Sequence, residues 1–223
     1  MSSGSAEVRS LVMALVPIAQ SCREPFIGQT VGNALYGLQR MSSDCVEVRC
    51  LVLALAPRVA TCRTELSSQA IGNALYGLQD MYSNNREVRI LVSSIAEGIQ
   101  RYGVALDAQG VSNALYGMRN MSSDSLEVSS LLSALAPLIA RSEEVMCVKG
   151  LSNALYGLRG MNSEIAAVRA VITALTPKLD ACKAPFDSQA VGNSLFGLQG
   201  MSSDSAEVRK LLLALTRNIS SCV

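Results

Sequence analysis

Five asparagines, Asn33, Asn73, Asn113, Asn153 and Asn193, stand 40 residues apart in segments that otherwise read as helix. Asn is a poor helix former, because its amide competes with the backbone for hydrogen bonds. Its recurrence inside a helix therefore needs a chemical reason. A carboxamide donates and accepts at once. It can bond its counterparts or neighbouring backbones in the next unit, leaving no buried polar group unmet. Alternatively it can face a ligand whose own repeating backbone offers donors and acceptors, either a peptide or a sugar-phosphate chain. Four residues earlier stand Gln29, Gln69, Gln109 and Gln189, with Lys149 as the exception. Three residues later stand Tyr36, Tyr76, Tyr116, Tyr156 and Phe196. At helical spacing these three columns share one face, opposite the apolar one. The aromatic column either packs or stacks the bases of a single strand. The sameness of the Asn column argues against base-by-base discrimination by it. These three columns are the candidates for lining a ligand groove.

A fourth column is basic: Arg9, Arg49, Arg89, Arg169 and Arg209. Arg at repeat spacing suits a row of phosphates. A structural reading competes. Glu7, Glu47, Glu87, Glu127 and Glu207 form a column on the opposite flank of the same helix, so Arg of one unit can meet Glu of the next. Ser129 and Ala167, which interrupt the two columns, would have been partners, and both are missing together.

Other chemistry is thinly represented. The chain has no His, no glycine-rich phosphate loop and no paired-carboxylate constellation, which argues against an enzyme. Its cysteines lack metal spacing, so neither a metal nor a cofactor is expected. Seven Cys, an odd number without a C-x-x-C pair, suit a reducing intracellular environment. Cys22, Cys62, Cys182 and Cys222 share one unit position and read as small core residues. Net charge is +1, from 19 basic and 18 acidic residues, which excludes a nucleic-acid binder driven by bulk charge. No apolar run is long enough for a membrane helix, and no transit peptide is visible ahead of the first repeat.

The elements that carry these columns follow from self-comparison. The chain divides into units 1–40, 41–80, 81–120, 121–160 and 161–200, with a partial unit 201–223 and no break in register. Each unit reads as two helices. In 41–80, Val48, Leu51, Val52, Leu55 and Val59 recur at helical spacing behind a cap signal at Asp44 and Glu47. Pro57 should kink or end that helix, leaving a short continuation. A second helix spans about Ser68 to Gln79, with Ile71, Ala74, Leu75 and Leu78 on one face. One such pair cannot bury its apolar face alone, so the expected fold is all-α: an α-solenoid of stacked helix-turn-helix repeats with a 40-residue period, one array over 1–223. Gly37, Gly77, Gly117, Gly157 and Gly197 then mark close approach of neighbouring helices, since each costs about 1 kcal/mol against Ala. Positions 6, 10 and 13 of each unit vary and point away from the core. Leu211, Leu212 and Leu215 read as the bed of an absent second helix, so end-to-end self-association through uncapped termini is a further expectation.

The order Leu51-Val52-x-Ala54-Leu55-Ala56-Pro57-x-Val59, then Ser67-x-Gln69-Ala70-Ile71-Gly72-Asn73-Ala74-Leu75-Tyr76-Gly77-Leu78, is similar to octotricopeptide repeats, with Tyr or Phe where that family has Trp. The resemblance covers every unit. It implies a helix-pair solenoid, single-stranded RNA as ligand and a chloroplast or mitochondrial setting. The Asn ladder by itself also looks like armadillo repeats, which hold extended peptides through such residues. Two functions follow. The leading one, because the resemblance spans every unit, is an RNA binder that reads about one base per unit; a surface without a continuous basic groove would count against it. The other is a scaffold that binds an extended peptide or partner protein, motivated by the near-zero net charge and the Asn column.

Overall fold

The computed structural model of the protein describes residues 3–220, with side chains to 219. The A helices of successive units are α1 (Ala6–Ser21), α3 (Val46–Ala60), α5 (Arg86–Tyr102), α7 (Leu126–Ala140), α9 (Ala166–Ala181) and α11 (Ala206–Ser220). The B helices are α2 (Gly28–Tyr36), α4 (Ser68–Tyr76), α6 (Ala108–Gly117), α8 (Val148–Tyr156) and α10 (Ser188–Gly197). Each A helix packs on the next A helix and each B helix on the next B helix. The result is an α-solenoid of two helical layers, as the periodicity requires.

The core lies between the layers. Val48, Val88, Val128, Val168 and Val208 are buried on the A side; Leu35, Leu75, Leu115 and Leu155 meet them from the B side. Full burial of each such side chain is worth about 1.5–3 kcal/mol. Positions 6 and 13 of each A helix face outward, with Val46, Leu53, Leu126 and Leu213 among the exposed apolar residues.

Past the prolines only short continuations follow: α1, α3, α7 and α9 run three or four residues beyond Pro17, Pro57, Pro137 and Pro177. Other local expectations are corrected. Asp44 does not cap α3. Cys45 holds the N-cap position without a side-chain bond, and the Asp44 carboxylate accepts from the Ser42 hydroxyl instead. Helix B stops at Tyr76 in the second unit, because the chain tightens into turns in which Leu78 and Gln79 donate to carbonyls three residues back. Leu211 and Leu215 are buried, at 0% and 2% exposure. Their counterparts in earlier units face the preceding A helix, so they need no following unit; in α1, which has no predecessor, Leu11 and Leu15 are exposed. Only Leu212 of the three is half-buried where a further B helix would sit.

The repeats are tied by a serine column. Ser43, Ser83, Ser123 and Ser163 are buried, and each hydroxyl accepts from the backbone N–H of Tyr82, Ser122, Asn162 and Ser202 of the next unit, at 2.8–2.9 Å. Ser3 does the same for Ser42 at 3.1 Å. Ser123→Ala leaves the Asn162 N–H without its acceptor, an expected loss of about 1–3 kcal/mol. Urea unfolding at unchanged m would show it, and Ser123→Thr should recover part of it.

The spacing of the B layer is set by the glycine column. A Cβ placed on Gly77, Gly117, Gly157 or Gly197 would lie within 1.9–2.0 Å of the carbonyl oxygen of Leu35, Leu75, Leu115 or Leu155 in the preceding unit. Smaller residues continue this seam toward the helix N-terminus, where a Cβ on Gly72 would meet Gly110 Cα at 3.1 Å. The sequence placed close helix approach at these glycines, and the structure has it.

Candidate binding groove

Glycine-tight packing brings the aromatic column together. Ring centroids of Tyr36, Tyr76, Tyr116, Tyr156 and Phe196 follow one another at 6.0, 5.8, 5.9 and 5.6 Å, with neighbouring planes 22–28° apart. These are favourable offset-stacked contacts. A base inserted between two rings would need roughly twice the 3.4 Å stacking distance. The interior ring faces are therefore filled by each other, and the column packs. Edges and hydroxyls remain available: those of Tyr36, Tyr76 and Tyr116 have no hydrogen-bond partner among the described residues.

The asparagines do the opposite of packing. Asn33 is exposed and Asn73, Asn113, Asn153 and Asn193 are half-buried. None of their side chains bonds another Asn, a neighbouring backbone or any other group among the described residues. The inter-unit Asn hydrogen bonds entertained from sequence do not form. Gln29, Gln69, Gln109 and Gln189 are exposed and likewise unbonded through their side chains, as is Lys149.

These groups line a connected depression along the B layer. A groove of about 600 Å³ is walled by Tyr36 of the first unit, Asn73 and Tyr76 of the second, Gln109, Ser112 and Asn113 of the third, and Lys149 and Asn153 of the fourth. Two clefts of about 240 and 220 Å³ prolong it between adjacent helices, through Gln29, Asn33, Gln69 and Asn73, and through Gln69, Asn73, Gln109 and Asn113. Contributions from four successive units to one groove identify the B layer as its floor. Gln189, Asn193 and Phe196 continue the same columns on α10.

The groove carries little charge. Lys149 is the ionised side chain of its main stretch. Asp107 borders one cleft, where its carboxylate accepts from the Gly110 N–H at 2.6 Å as the N-cap of α6.

The arginine column lies on the A helices and is occupied by protein. Arg9, Arg49 and Arg89 pair with Glu47, Glu87 and Glu127 at 3.7, 4.0 and 3.7 Å. Each Arg also donates to two backbone carbonyls before its own helix; Arg49 reaches Ser43 O at 2.6 Å and Asp44 O at 3.1 Å. Arg169 and Arg209 make the same carbonyl contacts. At the interruption, the Ser129 hydroxyl keeps one of them, to Ser123 O at 2.8 Å. Glu127 is held below the ordinary carboxylate pKa first by the Ser125 hydroxyl, then by its own backbone N–H, and to a smaller degree by Arg89. These arginines are engaged in turn contacts and, for Arg9, Arg49 and Arg89, in an inter-unit ladder. Restoring the missing rung with Ser129→Arg and Ala167→Glu should give a coupling of about 0.3–1 kcal/mol in a double-mutant thermal cycle, as exposed pairs do. Strict additivity would remove the ladder as a contributor to stability.

Two arginines that the sequence reading passed over sit beside the groove. Arg119 bonds Gln79 Oε1 at 2.5 Å and Asp80 Oδ1 at 2.7 Å, over the Tyr116 ring at 4.5 Å. Arg159 bonds Arg119 O at 2.6 Å, the Tyr156 hydroxyl at 2.7 Å and Asn120 Oδ1, with its guanidinium 5.1 Å from the Tyr156 ring centre. They fasten one unit to the next. Their signal was the replacement of Gln39, Gln79 and Gln199 by Arg at the same position of the third and fourth units, just as the serine column was visible as Ser in every unit.

The described cysteines are free thiols, with Cys62 and Cys182 buried, Cys22 half-buried and Cys147 exposed; Cys222 lies outside the described residues. Among the described residues no cluster of three potential ligands could hold a metal ion, and no helix is long and apolar enough to cross a membrane. Comparison of the chain with family models, with curated proteins and with solved structures finds no match.

Proposed function

We propose that this solenoid is a non-catalytic binding module that holds an extended polypeptide segment along the B-layer groove. The observation that carries the reading is the column of asparagine amides, repeated in every full unit and without a side-chain hydrogen bond among the described residues. A peptide backbone presents one donor and one acceptor per residue, and a carboxamide satisfies both. Steps of 5.6–6.0 Å along the stack are close to two residues of polyproline-II backbone at about 3.1 Å each, and slightly short of two strand residues at about 3.3 Å. Each unit can thus meet the same atoms of every second residue, which explains why the amides do not vary.

Single-stranded RNA is the second reading. The resemblance to octotricopeptide repeats in every unit favours it, and carboxamides also complement base edges. Its expected charge and stacking contacts are weak here: the arginine column is consumed on the A layer, and the interior aromatic faces are closed.

The test sets two libraries against the purified chain, random peptides displayed on phage and a random single-stranded RNA pool, each followed through a salt titration. Enriched peptides that still bind at physiological salt support the proposal. An RNA motif that persists there, without peptide enrichment, overturns it in favour of the second reading; motif-free RNA binding that fades with salt is nonspecific charge.

A further inference from the structure

The groove is not uniform along its length, and its fourth unit breaks the pattern. Where four units present a neutral Gln, this one presents Lys149. The ammonium is exposed, and no carboxylate lies within ion-pair distance of it among the described residues. The acid nearest in sequence on that rim, Glu144, is engaged by the Ala108 N–H, from which it accepts at 3.0 Å, and forms no ion pair with Lys149. Val145 lies on the same wall, 67% exposed, where the N-terminal ends of α6 and α8 also bring Ala108 and Cys147. One stretch of an otherwise repetitive amide groove thus carries a lone cation and a small apolar shelf side by side.

Building on the peptide reading above, we propose that unit four sets the register and selectivity of the groove. The occupant is an acidic extended peptide, with a carboxylate side chain over Lys149 and an apolar side chain against Val145. The division of labour is physical. Uniform amides hold any extended backbone and allow it to slide by one unit. A single charge opposed by a single apolar contact breaks that degeneracy, as a unique polar position does in other repetitive interfaces. The pairing is solvent-accessible, so its contribution is modest and salt-dependent.

The peptide library tests this with two variants. Lys149→Gln installs the residue that four other units already carry, so the fold is expected to persist; thermal unfolding checks it. Peptides enriched on the native chain should contain an acidic residue beside an apolar one. Those peptides should bind Lys149→Gln about threefold to fivefold more weakly at low salt, the range of an exposed ion pair. In the double variant Lys149→Gln with Gln109→Lys, the acidic position should move by about two residues relative to the apolar one, one unit along the groove. Enriched peptides without acidic residues, or acid enrichment that survives Lys149→Gln, would overturn the register proposal and leave the peptide reading standing. Enrichment of no peptide at all would remove both.

Discussion

Gly117→Ala should open the array between its second and third units, while Gly37→Ala, the same change at the same unit position, should leave it intact. Judged by helix propensity alone both changes help, since Ala is favoured over Gly by about 1 kcal/mol in a helix. The difference lies in what the added methyl meets. On Gly117 it would lie 2.0 Å from Leu75 O and 2.4 Å from Leu75 C, which are backbone atoms of a packed helix and cannot rotate aside. On Gly37 the nearest atoms are carbonyls of its own last turn, Ala34 O at 3.3 Å and Asn33 O at 3.6 Å. Relief of the Gly117 clash requires α6 to move off α4. That also parts the stacked pair Tyr76–Tyr116 and lengthens the Arg119 bonds to Gln79 and Asp80. Overpacking of a rigid site costs about 1–3 kcal/mol and more when backbone must shift, so a net loss of about 3 kcal/mol is expected. For a chain of this size that lowers Tm by roughly 10 °C. Because each unit touches only its neighbours, limited proteolysis should cut first near the second unit's boundary. Equal melting of the two variants would mean the B helices are not held by this seam.

That contrast also shows what the repeat made readable. Period and apolar spacing assign both helices of every unit, and the glycine and Arg–Glu columns identify their neighbours, because a side chain's angle on the helix decides which unit it meets. Two things escaped. Angles do not give distances: the Tyr column could equally line a base-binding slot or fill itself, and only the glycine-set spacing of about 6 Å between rings decides for the latter. Nor do angles say which flank of a helix faces the preceding unit and which the following one. Leu211 and Leu215 looked like the bed of an absent helix, yet they face the preceding unit, as Leu131 and Leu135 do. The asparagines escaped for a third reason. Whether an amide bonds its neighbour depends on a few tenths of an ångström along the stack, and nothing in composition carries that.

Those asparagines give the other large effect, with stability and affinity moving in opposite directions. The triple variant Asn73→Ala, Asn113→Ala, Asn153→Ala removes three helix-interior side chains that make no hydrogen bond among the described residues. Ala is preferred over Asn in a helix by about 0.6 kcal/mol, so the array should gain close to 2 kcal/mol and melt roughly 4–8 °C higher. The Cβ atoms stay, including the one on Asn113 that a Cβ on Gly72 would meet at 3.5 Å, so the seam is preserved. If the amides hold a backbone, the same variant forfeits three hydrogen bonds worth about 1 kcal/mol each, close to a hundredfold in affinity for any peptide enriched on the native chain. A structural column would behave otherwise: Tm would fall with affinity, since lost inter-unit bonds would loosen the helices beneath the ligand. Calorimetric titration and thermal unfolding of one preparation separate the cases. A higher Tm with undiminished affinity would place the ligand away from these amides.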